Sequence, residues 1–441
     1  MSSRPLPSFH TVLWVCVAAC LPALRAQAQP WQMEQVVDIG SFDSTARVSL
    51  AIAGDVLALG VGTATGGHVE VRGRHQGGLD QWGLLGFVDS SQPWFGHAVA
   101  LRTGRLAVGA PGASAFTGAV HLYGVEPSDL FEPLIDLGEL PAPPLLAGYR
   151  FGYSLLWIGD TLAVGAVARP AFRTNGAVFL FDASDEPVLL GELPQEPARV
   201  QIPFQRWFGA SLAQAGDLLA VAAPFTGFRD DLPNQQVGCI QLYRKEPQAA
   251  SGWALDTVLF DVEPQDNPCQ FFKRVELGRS GLAFVDGRLV VDHALAYSGT
   301  EGDALEPWRA HVSDTTGCTE CALRVLAPQA GVWNMEGSAA TGQEPALRRS
   351  IAGWSAYGDR LFVNWYDPLA QIWGTATHRR DMGGPDGWGV ETVLPEADVC
   401  DILTGPMAAG PNVLVRASMR RSSACGVDIG MIGVQVQVFR E

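Results

Sequence analysis

Short apolar runs broken by Gly-containing pairs repeat along this chain. The clearest copies open at Phe95-Gly96, Phe151-Gly152 and Phe208-Gly209. They close at Gly109-Ala110-Pro111, Gly165-Ala166-Val167 and Ala222-Ala223-Pro224. Within each copy a first run, such as Ala98-Val99-Ala100-Leu101, meets a second run of the Leu-Ala-Val kind across Thr103-Gly104, Gly159-Asp160 or Gly216-Asp217. Gly-Asp accepts positive φ and suits a two-residue hairpin turn. A third run follows at 118–123, 176–181 and 238–243, and a Trp-containing segment often comes next, as at 81–87 and 252–255. Each unit therefore predicts four antiparallel strands, which is one blade of a β-propeller.

Fainter copies extend the series, with turns at positions 55, 104, 160, 217, 287, 359 and 411. A unit of this size cannot bury its own apolar face and must stack on its neighbours. Seven turns predict an all-β, seven-bladed β-propeller of four-stranded blades. The chain ends on a run that reads as a third strand (434–440), and residues 31–39 read as an orphan fourth strand. Pairing them would complete the last blade, close the ring and remove the free edges. An open β-solenoid or two stacked sandwiches are the alternatives. The residues after Leu-Ala-Val are small in the strong copies, which suits a crowded ring near the axis.

Phe-Gly followed by Gly-Ala-Pro resembles the FG-GAP repeat of integrin α-subunit propellers and of many bacterial secreted proteins. The resemblance is good in three units and decayed in four, and so covers nearly all of 29–441. It implies that the Phe-Gly and Gly-Ala-Pro elements pack neighbouring blades, and that the protein is a non-enzymatic binding or adhesion module. Calcium-binding members carry an Asp-x-Asp-x-Asp-Gly loop between the first two strands. Calcium needs several oxygen ligands in one short loop. Here that connection offers one carboxylate at most, so Asp55, Asp160, Asp217 and Asp359 read as turn residues. No metal and no cofactor is expected.

The sequence has 441 residues with 50 Gly and 29 Pro, as suits a turn-rich all-β chain. Its net charge of −16 disfavours nucleic acid and anionic membranes as partners. Residues 1–28 read as a signal peptide. Arg4 precedes an apolar run at 11–24, and Ala26-Gln27-Ala28 offers a small-x-small cleavage site. Val17-Ala18-Ala19-Cys20 also resembles a lipobox, so a lipoprotein at Cys20 is the alternative. No later segment reads as a membrane span. The expected location is secreted, periplasmic or cell-surface. Six cysteines follow the leader: Cys239, Cys269, Cys318, Cys321, Cys400 and Cys425. An even count in an exported chain reads as disulfides, and sequence neighbours suggest pairing in that order among 15 connectivities. Oligomeric state is left open, a monomer included.

No catalytic motif is present. There is no Gly-x-Ser-x-Gly elbow, no His-Glu-x-x-His helix and no phosphate loop. In the later copies the small residues after Leu-Ala-Val give way to Asp292-His293, Asn364-Trp365 and Arg416-Ala417. Asp292, His293, Asn364, Trp365 and Arg416 are thereby expected near one mouth of the channel, where Trp beside polar groups suits a sugar or peptide. The alternative is that these polar groups pair among themselves. The loops between second and third strands carry Phe225, Phe228 and Arg229 in one unit and Tyr297 and Trp308 in the next. Long loops on a rigid scaffold, anchored by aromatics and Arg, suit a protein contact. The leading expectation is recognition of a protein or glycan. A hydrolase or lyase using Asp292 and His293 at the channel mouth, or a scaffold subunit of a surface assembly, are the alternatives.

Overall fold

Every one of the seven Gly-Asp-type turns joins a first strand to a second strand in a computed structural model of the chain. The structure describes residues 31–129, 132–143, 148–168, 175–184, 186–195, 207–224, 228–229, 232–260, 274–296, 322–329, 332–339, 350–367, 372–380, 382, 388–394, 406–420 and 431–441. The leader at 1–28, Phe225, Tyr297, Trp308 and the cysteines other than Cys239 lie outside them. Cys239 begins a third strand and is buried.

The first strands are Arg47–Ala53, Ala98–Arg102, Phe151–Ile158, Leu212–Ala215, Arg274–Val285, Ser350–Tyr357 and Met407–Gly410. Each lies against the first strand of the next blade, and the seventh returns to the first. These seven strands line the axis, and the fold is a seven-bladed β-propeller. The last blade takes its outer strand from the start of the chain. Gln32–Asp43 runs antiparallel to Met431–Arg440, with Gln32 opposite Arg440 and Asp43 opposite Met431. The final residue is tied as well: Arg360 donates to both carboxylate oxygens of Glu441 at 2.6 Å.

Burial explains the continuous apolar runs. The second strands, Val56–Thr63, Arg105–Ala110, Thr161–Ala166, Leu218–Ala223, Arg288–Ala296, Arg360–Asp367 and Val413–Arg420, are covered on both faces by neighbouring blades. Alternation is lost when both faces are buried. Leu106, Leu162, Leu219, Leu289, Leu361 and Leu414 have no exposed surface, and each such side chain stabilises the fold by about 1.5–3 kcal/mol. The Leu-Ala-Val run is thus the second strand of its blade. The half-buried run before it is the one beside the axis.

The small residues of that second strand serve the joint between blades. The carbonyl of Gly96, in the Phe-Gly turn of blade two, sits against Gly60 of blade one. Gly152 meets Gly109, and Gly209 meets Gly165, in the same way. Ser49 donates to Gly96 O at 2.8 Å and Ser154 to Gly209 O at 2.6 Å, which fixes the turn to the preceding blade. Phe95, Phe151 and Phe208 fill the core beside it.

Two local departures from the repeat redirect a side chain and a sheet edge. In blade seven Gly410 pairs with Val413, so the turn is Pro411-Asn412. Arg416 therefore stands level with Val291 and Val363 rather than with Asp292 and Asn364. A one-residue offset sends a strand side chain to the opposite face. In blade five a small hairpin, Phe228–Arg229 with Leu232–Val237, adds parallel to the free edge of the first strand, Gln236 opposite Arg274. That edge faces the axis.

Candidate functional site

In an antiparallel four-stranded blade, the connection from second to third strand and the connection to the next blade emerge at the same end. At that end the Phe-Gly turns of blades two, three and four stand side by side. Each is closed by a backbone hydrogen bond: His97 N to Trp94 O (2.9 Å), Tyr153 N to Arg150 O (3.2 Å) and Ala210 N to Trp207 O (3.0 Å). The glycine in the third position takes φ of 82°, 85° and 89°, as a type II turn demands.

The residues flanking Phe-Gly form a continuous cluster. The His97 ring stands 4.8 Å from Tyr153 and 6.1 Å, edge-on, from Trp94. Tyr153 lies 5.8 Å from Trp207. Arg47, the first residue of blade one, places its guanidinium 5.9 Å from the Trp94 ring. Arg150 does the same, at 5.9 Å, between Phe116 and Trp207. Both arginines and both tryptophans are buried; His97 and Tyr153 are half-buried and form the accessible surface. Phe116 comes from the loop between second and third strands of blade two, and its carbonyl accepts from Arg150 N at 2.9 Å.

Backbone strain is concentrated here. Trp94 has φ 66° and Arg150 φ 50°, in equivalent positions of successive turns. A left-handed conformation costs an ordinary residue about 1–2 kcal/mol, and strain of this kind persists where surrounding packing over-determines it. The cluster is therefore held rigidly.

Burial drives the His97 imidazole down to about 3, and the nearby charges of Arg47 and Arg150 push the same way. His97 is accordingly neutral at physiological pH, with Nδ1 sealed from solvent and without a hydrogen-bond partner. Because the folded form is held below the ordinary value, the unfolded chain binds more protons between about 3 and 6.5. Stability from this group is complete above pH 6.5 and is lost as pH falls toward 3. His97→Asn is expected to flatten the fall in melting temperature between pH 7 and pH 4.5. An unchanged acid limb would show that His97 is not the buried neutral group described here.

Of the residues singled out from sequence, Asp292, Asn364, Trp365 and Arg416 lie at the same end of the ring but on other blades. Arg416 and Asn364 come together in a closed network between blades six and seven. Arg416 donates to Gln437 Oε1 through Nε (2.8 Å) and Nη2 (2.5 Å), and to Thr375 Oγ1. Thr375 donates to Asn364 Oδ1 at 2.5 Å. Neither Arg416 nor Asn364 has exposed surface. Asp292 is buried in blade five and accepts from Gly281 N at 3.1 Å. Asp292 and Asn364 occupy the second-strand position where blades one to three carry glycine. Trp365 is half-buried opposite Gly374. His293, Phe228 and Arg229 have described backbone in strands, and their side chains lie outside the description. Among the described residues no group of three His, Cys, Asp or Glu is placed to hold a metal ion. No helix among them is long and apolar enough to cross a membrane.

Trp94, His97, Arg150, Tyr153 and Trp207 do not stand out in the sequence, because they flank a motif that itself reads as packing. The signal was present as Trp-Phe-Gly-His, Arg-Phe-Gly-Tyr and Trp-Phe-Gly-Ala. An aromatic or basic residue precedes every one of the three Phe-Gly pairs.

No protein-family model matches the chain, and no curated protein matches it. Solved structures do share its architecture. It is similar to the polysaccharide lyase Uly1, with TM-score 0.52 and 8% identity over 93% of this chain and 99% of that one. It is similar to the Kuenenia stuttgartiensis hydrazine synthase, with TM-score 0.52 and 9% identity over 90% of this chain and 95% of that one. The likeness is one of propeller fold.

Proposed function

We propose that this chain is a binding module whose ligand rests against His97 and Tyr153 at the loop end of blades one to four. The observation that carries this reading is the rigid row of aromatic and basic side chains built on three successive Phe-Gly turns. The propeller neighbours include a lyase and a synthase, so the fold hosts unlike chemistries and the weight falls on the site. An imidazole held near 3 is a weak base far from working pH, which favours recognition over acid–base chemistry at this position. The hairpin bearing Phe228 and Arg229, added on the axis side of blade five, extends the same surface in this reading. The leader-like pattern of residues 1–28 and the FG-GAP-like copies support an exported recognition or adhesion module.

A thermal-shift screen of protein beginning at Gln29, against glycans and peptides, tests the proposal. A ligand that binds only the folded state raises the melting temperature by mass action. The responding ligand is expected to bind about tenfold more weakly to Tyr153→Ala, the loss of one good stacking contact. Full affinity in both Tyr153→Ala and His97→Ala would move the site elsewhere on the propeller.

A further inference from the structure

We infer that the outer edge of blade three, the strand Val188–Glu192, docks an extended basic segment of a partner protein. In all seven blades the outermost strand carries one extra residue at the same step of its pairing with the third strand. Such a bulge leaves that residue outside the ladder and re-aims its side chain. In blades four to seven the extra residue is acidic: Asp256, Glu336, Glu391 and Glu34. Arginines of the adjoining third strand reach three of these carboxylates, Arg244 to Asp256 at 3.1 Å, Arg379 to Glu391 at 3.5 Å and Arg440 to Glu34 at 3.6 Å. Charge on a bulged edge keeps other strands from adding to it. In blades one to three the extra residue is Leu85, Leu137 or Leu190, and Gly73, Gly124 or Asp182 stands where the arginine would be. Leu85 folds back over Gly73. Blade three leaves its edge open: Val188, Leu189 and Leu190 are 56%, 41% and 47% exposed, so both faces of the strand present apolar side chains. Among the described residues no strand pairs with its outer side.

Charge selects the occupant. The four strands of blade three hold no Lys, Arg or His, and Glu186 and Glu192 are exposed at the two ends of the edge. Two copies would bring only carboxylates to each other here, and a net charge of −16 repels a second copy. A segment alternating apolar and cationic side chains meets the leucines and the carboxylates together, while its main chain extends the ladder. This edge is on the outside of the ring, away from the His97–Tyr153 mouth, and the inference is independent of that site.

Fluorescence anisotropy of the protein from Gln29 tests this with two labelled peptides, one alternating Leu and Lys and one alternating Leu and Glu. The Leu-Lys peptide is expected to bind at least about tenfold more tightly, and about 0.5 M NaCl is expected to erase most of that advantage. Two variants place the site. Leu190→Glu with Asp182→Arg rebuilds in blade three the charged pair of blade four, and Leu190→Arg puts a cation on the edge by a single exposed change. Each is expected to weaken the Leu-Lys peptide about tenfold or more, with the melting temperature as the check on folding. Equal affinity for the two peptides, unchanged binding in both variants, or no binding at about 0.1 mM overturns the proposal. Sedimentation showing a dimer that Leu190→Arg dissociates would give the edge to a second copy and overturn it as well. Tyr153→Ala is expected to leave the peptide affinity unchanged. A loss there would move the peptide to the mouth and remove the edge, whereas failure of the edge leaves the mouth reading to its own screen.

Discussion

Replacing Gly209 by alanine is expected to destabilise the propeller by about 3 kcal/mol, while Gly159→Ala costs about 1 kcal/mol. Both glycines have positive φ, 89° and 60°, so both substitutions carry the left-handed penalty. They differ in surroundings. A methyl group on Gly159 would meet nothing within 4 Å, because the residue sits at the tip of a first-to-second-strand turn. A methyl group on Gly209 would meet Ala177 O at 2.8 Å, Val178 Cγ2 at 3.0 Å and Gly165 Cα at 3.2 Å. Two of those are backbone atoms of the neighbouring blade, which cannot turn aside. Relief requires blades three and four to separate, and separation breaks the 2.6 Å bond from Ser154 Oγ to Gly209 O. Equilibrium urea denaturation of the two variants reads the difference directly. Equal losses would mean that the close glycine–glycine approach is not what joins the blades.

The repeat was legible because its signal is local. A Gly-Asp-type pair between two apolar runs announces a hairpin wherever it occurs, and all seven such positions are first-to-second-strand turns. Closure was legible from the phase of the ends, since Met431–Arg440 lacked an outer partner and Gln32–Asp43 lacked a blade. The strand beside the axis was not legible. The most hydrophobic run in each unit lies in the second strand, because a propeller sheet buries both faces there and leaves the first strand half open to the channel. Arg416 shows how a single residue alters a side chain's destination. Reading the turn at 411 aligned it with Asn364, and the Gly410–Val413 pairing sets it on the opposite face, toward blade six. The mouth cluster was hidden for another reason. Arg47, His97, Arg150 and Trp207 are far apart in sequence, and only the stacking of successive blades assembles them. Their common feature, adjacency to Phe-Gly or to the start of a first strand, has meaning once those turns are known to share one end.

Arg416→Ala is expected to cost about 3–5 kcal/mol, the largest effect of any single side-chain truncation considered, because it removes the charge at the centre of a buried network. The guanidinium spans blades six and seven: it donates to Gln437 in its own blade and to Thr375 in blade six, and its Cζ stands 4.6 Å from the Phe439 ring. Truncation leaves Gln437 Oε1 and Thr375 Oγ1 short of a donor in a space without solvent, and opens a cavity beside Phe439. Each orphaned buried polar group costs about 1–3 kcal/mol. Arg416→Met refills most of the volume and leaves the polar groups, so it is expected to recover only part of the loss. Arg416→Met combined with Gln437→Leu removes donor and acceptor together and is expected to be less harmful than the sum of the two single changes, the signature of coupled neighbours. Chemical denaturation of the four proteins gives the coupling energy. Additive losses would show that Arg416 acts by packing alone. A near-neutral Arg416→Ala would show that the joint between the sixth and seventh blades rests instead on other contacts, such as the Arg360–Glu441 pair.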